Sequence, residues 1–205
     1  MRMILIGQYD SPFVRRVGIA LHCYGIAFEH RPWSVFRDAE KIQAYNPLLR
    51  VPTLVLDDGT VLIESHHMLD YLDNRVAPSQ AMFPRAEPAR HRALKIAALA
   101  TGMADKAVSL FYEQRLHTEV SDVWRSRCQA QILATLEALE AERTAYESPW
   151  WFGETFGHAD IAVAVCLRFV NEAHPALVAM ANYPALAKHA ARMEALPAFA
   201  AIVQE

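Results

Sequence analysis

Residues 3–25, MILIGQYDSPFVRRVGIALHCYG, place a short apolar run, a loop and an amphipathic helix in direct succession. The run Met3–Ile6 has the length and apolarity of a β-strand. Ser11 suits the N-cap of the helix and Pro12 its first position, because proline has no N–H to lose there. Apolar side chains then recur at helical spacing until Gly25, which offers a C-terminal stop. The segment predicts a strand, a loop and a helix that open an α/β domain.

The residues that follow predict the rest of this small domain. An Asp-Gly pair at residues 58–59 is a strong hairpin signal, so the β-branched or leucine-rich runs on either side of it are expected to pair antiparallel. Asn46-Pro47 ends the preceding short helix. The predicted elements are a weak strand at 27–31, a helix at 38–45, strands at 53–56 and 61–63, and a helix capped by Ser65 that runs to about residue 75.

The pattern changes after about residue 89, from alternating strands and helices to helices alone. The stretch 76–88 carries three prolines and little periodicity, which is typical of a linker. We therefore predict a mixed α/β domain at 1–77, a linker at 78–88 and an all-helical domain at 89–205. Helices in the second domain are expected at 89–117, 121–145, 158–171 and 184–196, with a short one after Pro197.

Composition restricts the partners. The 205 residues include 20 Lys and Arg and 23 Asp and Glu, a formal net charge of -3, so no global attraction to nucleic acid or anionic lipid is expected. Neither a signal peptide nor an apolar run of about 18 residues is present, which predicts a cytoplasmic protein that does not insert into membranes. Three widely spaced cysteines form no CxxC pair or metal knuckle and are expected to be reduced and buried. Small molecules or proteins are the favoured partners.

Two motifs place chemical groups at backbone positions suited to a ligand. Ser11-Pro12-Phe13-Val14-Arg15 sets a hydroxyl at a helix start, where unpaired N–H groups and the helix dipole favour an anion, although an ordinary helix cap is the commoner explanation. Val51-Pro52 precedes a strand, and its peptide bond can be cis. An extended Val51 can expose its N–H and C=O to a peptide-like ligand, although a plain start of a strand is the simpler interpretation.

A third motif, Ile63-Glu64-Ser65-His66, lies at a strand-to-helix junction. The helix start with Ser65 can receive a carboxylate, and Glu64 can hold an ammonium group. Together they fit the α-amino acid end of a ligand. Simple capping by Ser65 beside a solvated glutamate is the alternative.

In this order and spacing, the three motifs resemble the glutathione transferase family, and specifically its bacterial serine-type members. The resemblance covers the whole chain in outline and implies a thioredoxin-like domain followed by an all-helical domain. It implies a glutathione S-transferase that stabilises the glutathione thiolate for attack on an electrophilic, partly apolar substrate, as in detoxification. Glutathione would be the co-substrate, no metal would be needed, and the protein would be a homodimer.

The resemblance also implies roles for individual residues. Ser11 would donate a hydrogen bond to the glutathione sulfur, so glutathione and not the serine would be the nucleophile. The Val51 backbone would pair with the cysteinyl part of glutathione, and Pro52 would be cis. Glu64 and Ser65 would bind the γ-glutamyl end, and Arg50 would bind the glycine carboxylate. Candidates for a pocket that holds the second substrate are Phe13, Trp33, Met103, Phe111 and Tyr112.

Two further positions complete the expectations. Arg15 lies one helical turn beyond Ser11 and would either add positive potential at the site or be solvated or paired with a carboxylate. Asp160 is interpreted as a folding residue that bonds back to the turn before its helix. Family members commonly have Ser or Thr three residues before this Asp, whereas this chain has Gly157.

Several alternatives to conjugation remain open. Peroxide reduction, isomerisation and dehalogenation would use the same fold and thiol site, and the motifs do not separate them. A non-catalytic binding module of the same fold is a further alternative. Hydrolysis is disfavoured because no Gly-x-Ser-x-Gly motif is present, and thiol–disulfide chemistry because position 11 is serine.

Overall fold

The computed structural model describes residues 2–203, which form four β-strands and eight α-helices. Two compact units are distinguished, one made of the residues up to Arg85 together with those from Ala195 onward, the other of Ala86–Glu194. The strands are β1 (Met3–Ile6), β2 (Phe28–Arg31), β3 (Thr53–Val55) and β4 (Val61–Ile63). The helices are α1 (Pro12–Cys23), α2 (Ala39–Gln43), α3 (Ser65–Arg75), α4 (Ala89–Leu116), α5 (Asp122–Thr144), α6 (His158–Ala173), α7 (Pro184–Glu194) and α8 (Pro197–Ala200).

The first unit is built on one mixed sheet with the strand order β2-β1-β3-β4. Strand β1 is parallel to β2 and antiparallel to β3, which is antiparallel to β4. Side chains alternate between the two faces, so Leu5 and its partner Leu54 lie on one face while Ile6 lies on the other. This sheet with its flanking helices is the predicted thioredoxin-like arrangement, and the prediction of the fold is confirmed.

Both faces of the sheet are covered. On one side α1 packs against α3 and β1, and the apolar residues of these helices that face inward, such as Val17 and Leu69, are fully buried. On the other side Ile6 forms a buried cluster with Ile42 of α2, and Trp33 packs against its edge. The sheet is therefore the central layer of the unit, and the loops at the ends of its strands are free to carry a site.

The helical unit is organised around α4, which packs against α5 and α6, while α7 packs against α5 and α6. Its most buried helix is α6, which is inaccessible along most of its length. The carboxylate of Asp160 accepts hydrogen bonds from Gly157 N at 2.9 Å and Trp151 N at 3.0 Å. Those bonds tie the start of α6 to the preceding turn although Gly157 has no side chain to contribute.

Some local expectations differ from the structure. Ser65 is not the N-cap of α3 but its first residue, because the chain turns at Glu64 with a φ of 66° and helical geometry begins only afterwards. Cys128 and Cys166 are buried as expected, but Cys23 is exposed at the end of α1; none of the three forms a disulfide. A short 3-10 helix at Met180–Asn182 was outside the prediction.

The segments on either side of the helical unit also pack in ways that local patterns do not indicate. Asp73 accepts hydrogen bonds from Met82 N at 3.1 Å and Phe83 N at 3.0 Å, so the proline-containing segment is held against the first unit. Helix α8 packs against α1 in that same unit, whereas the predicted second domain included residues 195–205.

Candidate functional site

The first unit has a cleft that is open to solvent, with about 270 Å³ of space between its walls when the solvent at its mouth is included. Its walls come from the start of α1, the loop before β3 and the start of α3. These are the segments in which the sequence motifs were found, because the ends of β1, β3 and β4 bring them together. The lining residues are Phe13, Asn46, Arg50, Val51, Pro52, Glu64 and Ser65.

Ser11 lies at the N-cap of α1, two residues before Phe13, and its backbone is extended, with φ -70° and ψ 120°. Its Oγ accepts a hydrogen bond from Val14 N at 3.4 Å. Within residues 2–203 the hydroxyl has no acceptor for its own hydrogen. The side chain can therefore cap the helix and donate to an anion at the same time.

The loop before β3 approaches the end of β1 closely. The Val51–Pro52 peptide bond is cis. Gly7, which has a φ of +129°, leaves no room for a side chain, since a Cβ there would lie 2.5 Å from Val14 Cγ2 and 2.8 Å from the Cβ of Val51. The absence of a side chain at Gly7 thus lets the start of α1 and the Val51–Pro52 segment pack against the same point of the sheet.

At the start of α3, Ser65 is buried and Glu64 has a positive φ, a conformation that costs a non-glycine residue energy. The Glu64 carboxylate is 44% exposed and lies 3.2 Å from the guanidinium of Arg50, which is 56% exposed. A cation and an anion thus stand together on the lining of the cleft. Each could exchange its protein partner for a charged group of a zwitterionic ligand.

Beside Ser65, the imidazole of His66 lies 3.4 Å, Nδ1 to Nη2, from the buried guanidinium of Arg16. Burial, together with the charges of Arg16 and His67, lowers the pKa of His66 to about 4. His66 is consequently neutral at physiological pH, so the positive charge in this part of α1 and α3 comes from Arg16.

The other residues expected at the site have different positions. Trp33 packs at the edge of the Ile42 cluster and does not line the cleft. Met103, Phe111 and Tyr112 all lie on α4 in the helical unit, where Met103 is buried and the rings of Phe111 and Tyr112 are 6.2 Å apart.

Arg15 does not have the solvated position that was one of its expected roles. Its side chain is buried, its Nε donates to Ile202 O at 3.0 Å, and its guanidinium lies 5.1 Å from the centre of the Phe199 ring. The residue therefore binds the C-terminal segment to α1.

Asn46 is the lining residue that the sequence argument missed. Its side chain is buried within the loop before β3, and the Asn46-Pro47 pair was interpreted only as the end of α2. The neighbouring Val-Pro motif was the one signal that could have directed attention to it, since an amide side chain close to a tight loop often bonds its backbone.

Among residues 2–203, no group of three metal-ligating side chains is close enough to bind a metal ion.

Comparison with known proteins adds independent information. A family model described as "Glutathione S-transferase, N-terminal domain" matches residues 5–80, and one described as "Glutathione S-transferase, C-terminal domain" matches residues 122–192. No helix within the described residues is long and apolar enough to cross a bilayer.

Individual proteins resemble most of the chain. An uncharacterized GST-like protein, YibF, of Escherichia coli is 32% identical over 82% of this chain and 82% of its own length. Maleylacetoacetate isomerase of Pseudomonas aeruginosa is 30% identical over 78% of this chain and 77% of its own length. The crystal structure of a glutathione S-transferase from Methylobacterium radiotolerans, in complex with glutathione sulfonate, superposes with a TM-score of 0.90 at 29% identity, covering 100% of this chain and 95% of that one.

Proposed function

The chain belongs to the glutathione S-transferase family, and from this premise we propose that it binds glutathione in the cleft of its first unit and directs the thiolate at an electrophile. The observation that carries the proposal is the composition of that cleft. Arg50, Val51, Pro52, Glu64 and Ser65 line it together, on the helix and strand ends next to the Ser11 cap. The Methylobacterium relative in complex with glutathione sulfonate supports the same ligand.

In the proposed complex the ligand is held at both of its charged ends and along its backbone. The ammonium and carboxylate of the γ-glutamyl end bind Glu64 and the start of α3 at Ser65. The cysteinyl part pairs with the Val51 backbone beside the cis Pro52, and the glycine carboxylate binds Arg50. This assignment gives each charged group of the tripeptide a partner, an ion of opposite charge or the start of a helix.

The thiol is activated by Ser11 and the start of α1. Lowering the pKa of a thiol from about 8.5 to about 6.5 requires about 2.7 kcal/mol of preferential stabilisation of the thiolate. A hydrogen bond to a charged group contributes about 1.5 to 3 kcal/mol and a helix N-terminus about 0.3 to 1 kcal/mol. Those two contributions suffice, so Ser11 acts as a donor in a serine-type site and remains protonated.

The proposal extends to the setting of the reaction. The second substrate is a small, partly apolar electrophile. The protein acts in the cytoplasm as a homodimer, and its generic role is detoxification by conjugation.

Isomerisation is the second candidate function, because a relative of 30% identity is a maleylacetoacetate isomerase. Such a reaction would use the same thiolate, which adds to a double bond and is expelled after rotation, so glutathione is regenerated. Consumption of glutathione therefore separates the two functions.

The test is a titration of the purified protein with glutathione by calorimetry, followed by measurement of the thiol pKa in the complex. We expect saturable binding at one site per chain and a thiol pKa well below that of free glutathione. A panel of aryl halides, conjugated dienones and peroxides, with conversion of the substrate and consumption of glutathione both recorded, then assigns the reaction. A bound thiol whose pKa is unshifted would contradict the proposed mechanism.

A further inference from the structure

We propose that Asn46, acting with Thr53, is a positioning residue that orients the Arg50–Val51 peptide so that the Val51 N–H can bind a carbonyl group of a peptide ligand. The inference rests on the proposed function, since it concerns recognition of the same tripeptide. It assigns a role in ligand binding to two buried residues that the sequence analysis placed only at the end of a helix and in a strand.

The side-chain amide of Asn46 is completely used within the loop. Its Nδ2 donates to Arg50 O at 2.9 Å and to Thr53 Oγ1 at 3.1 Å, and its Oδ1 accepts from Leu48 N at 3.0 Å. Both N–H groups and the oxygen therefore have partners inside one loop of the chain. Because Asn46 is only 1% exposed, these bonds do not compete with solvent.

Thr53 holds the same carbonyl from the other side. Its hydroxyl donates to Arg50 O at 3.2 Å while it accepts from Asn46 Nδ2. The Arg50 carbonyl thus receives two hydrogen bonds, one for each lone pair, and its direction is set by two buried side chains.

The orientation of that carbonyl determines the direction of the Val51 N–H. The cis peptide bonds within residues 2–203 are Val51–Pro52 and Glu87–Pro88, so the Arg50–Val51 bond is trans. In a planar trans peptide the C=O and N–H point in opposite directions. A carbonyl held toward Asn46 therefore turns the Val51 N–H away from the interior of the loop.

The Val51 backbone is left for a ligand. Neither its N–H nor its C=O forms a hydrogen bond with any group in residues 2–203, and the residue lines the cleft. One donor and one acceptor on a single residue before a strand match the complementary pair on an extended peptide, as in the addition of a strand to a sheet.

Two substitutions of Thr53 test the inference without removing much volume. Thr53→Val keeps the shape and removes the hydroxyl, whereas Thr53→Ser keeps the hydroxyl and removes the methyl group. We expect Thr53→Val to raise the Kd for glutathione about tenfold, which corresponds to about 1.4 kcal/mol, and Thr53→Ser to stay within about twofold of the unmodified chain. Asn46→Ala removes both bonds to the loop and should have at least the effect of Thr53→Val.

A matched control separates positioning from general loss of stability. Thr101 is a buried threonine of the helical unit whose Oγ1 donates to Ala97 O at 2.9 Å, so Thr101→Val removes a comparable buried hydroxyl outside the cleft lining. This variant should bind glutathione as the unmodified chain does. At saturating glutathione, kcat of Thr53→Val should recover to within about twofold while its KM for glutathione stays high, because the thiol and Ser11 are unchanged.

The outcomes distinguish the inference from the function beneath it. Equal Kd values for the unmodified chain, Thr53→Val and Asn46→Ala would overturn the positioning role and leave glutathione binding intact. An equal loss of affinity in Thr53→Ser and Thr53→Val would also overturn it, since the hydroxyl would then be irrelevant. Absence of binding by the unmodified chain would overturn the proposed function, and with it this inference.

Discussion

Arg50 and Glu64 stand 3.2 Å apart, guanidinium nitrogen to carboxylate oxygen, although 14 positions separate them in the chain and both line one cleft. Both side chains are about half exposed, so the pair itself contributes little to stability, about 0 to 1 kcal/mol. Its main effect is to keep a cation and an anion together at the rim of the cleft, where a zwitterionic ligand can engage both.

Arg50→Gln should therefore affect binding more than folding. We expect the free energy of unfolding to change by less than about 1 kcal/mol and the Kd for glutathione to rise about three- to tenfold, because the glycine carboxylate loses a charged partner. Calorimetry and denaturant titration measure the two quantities. Arg75→Gln is the control, since Arg75 is an exposed arginine of the same unit that bonds Tyr71 at 2.9 Å and lies outside the lining of the cleft. A similar rise of the Kd in Arg75→Gln would show that the effect comes from the net charge of the protein and not from a contact of Arg50 with glutathione.

Ser11→Ala should lose stability and thiol activation together. Removal of an N-cap hydroxyl costs about 1 kcal/mol, and removal of the donor to the thiolate should raise the pKa of bound glutathione by about 1 to 2 units. The thiolate absorbance recorded against pH measures that shift. At pH 7, kcat/KM should fall about 3- to 25-fold as the thiolate fraction drops.

Ser121→Ala provides the matched control for this experiment. Ser121 caps α5 with the same geometry, its Oγ accepting from Trp124 N at 3.3 Å, while Ser11 accepts from Val14 N at 3.4 Å. The control should lose about the same stability and keep the thiol pKa. Equal thiol pKa values in the two variants would show that Ser11 is a cap alone.

Gly7→Ala should be strongly destabilising, because two costs add at one residue. A φ of +129° is unfavourable for alanine, and its Cβ would lie 2.5 Å from Val14 Cγ2. Backbone strain of about 1 to 3 kcal/mol and overpacking of about 1 to 3 kcal/mol together predict a loss of about 3 kcal/mol or more in the free energy of unfolding. Urea denaturation followed by circular dichroism measures it.

Gly25→Ala separates the two costs. Gly25 also has a positive φ, +66°, but nothing lies within 4 Å of a Cβ placed there. Its replacement should therefore cost only the backbone term, about 1 kcal/mol. A loss as large as that of Gly7→Ala would mean that the close approach of Val14 and Val51 to Gly7 is energetically unimportant.

The buried pair His189 and Asp160 predicts how stability depends on pH. His189 Nε2 donates to Asp160 O at 3.1 Å, and its Nδ1 lies 3.9 Å from the Asp160 carboxylate. Burial and, to a smaller extent, the charges of Arg143 and Arg192 outweigh the hydrogen bond to Asp160 and lower the pKa of His189 to about 4. The folded state therefore favours the neutral ring.

Since the unfolded chain takes up this proton at a pKa of about 6.5 and the folded chain only at about 4, stability should fall as the pH decreases from about 6.5 to about 4. The full effect is about 3 kcal/mol. Burial raises the pKa of Asp160, which contributes in the opposite direction, and His66 contributes in the same direction as His189. The difference between the unmodified chain and His189→Gln isolates the His189 contribution.

Denaturant titrations between pH 4 and pH 7 measure this difference. His189→Gln should flatten the loss of stability in acid, and His22→Gln, at an exposed position of α1, is the control for the removal of a histidine. An unchanged pH dependence in His189→Gln would show that the ring accepts a proton without cost in the folded state.

Local chemistry in the sequence was enough to predict the main elements, whereas the residues of the cleft were expected from the resemblance to a family. The Ser-Pro pair before α1, the Asp-Gly pair between β3 and β4 and the helical periodicity of α4 and α5 each act within a few residues, so their structures follow without knowledge of the fold. The lining residues that belong to the motifs share a cleft because β1, β3 and β4 end beside one another.

Only the tertiary structure decided which polar side chains form hydrogen bonds inside the protein. Arg15 bonds the carbonyl of Ile202, 187 positions away, and Asn46 turns inward to hold Arg50 O. The same arginine on an exposed helix face, or the same asparagine at a helix end, would be solvated. Burial leaves each of them only the partners that distant segments supply, and a buried polar group without a partner is costly; the roles of these residues were therefore set by the packing and not by their neighbours in the chain.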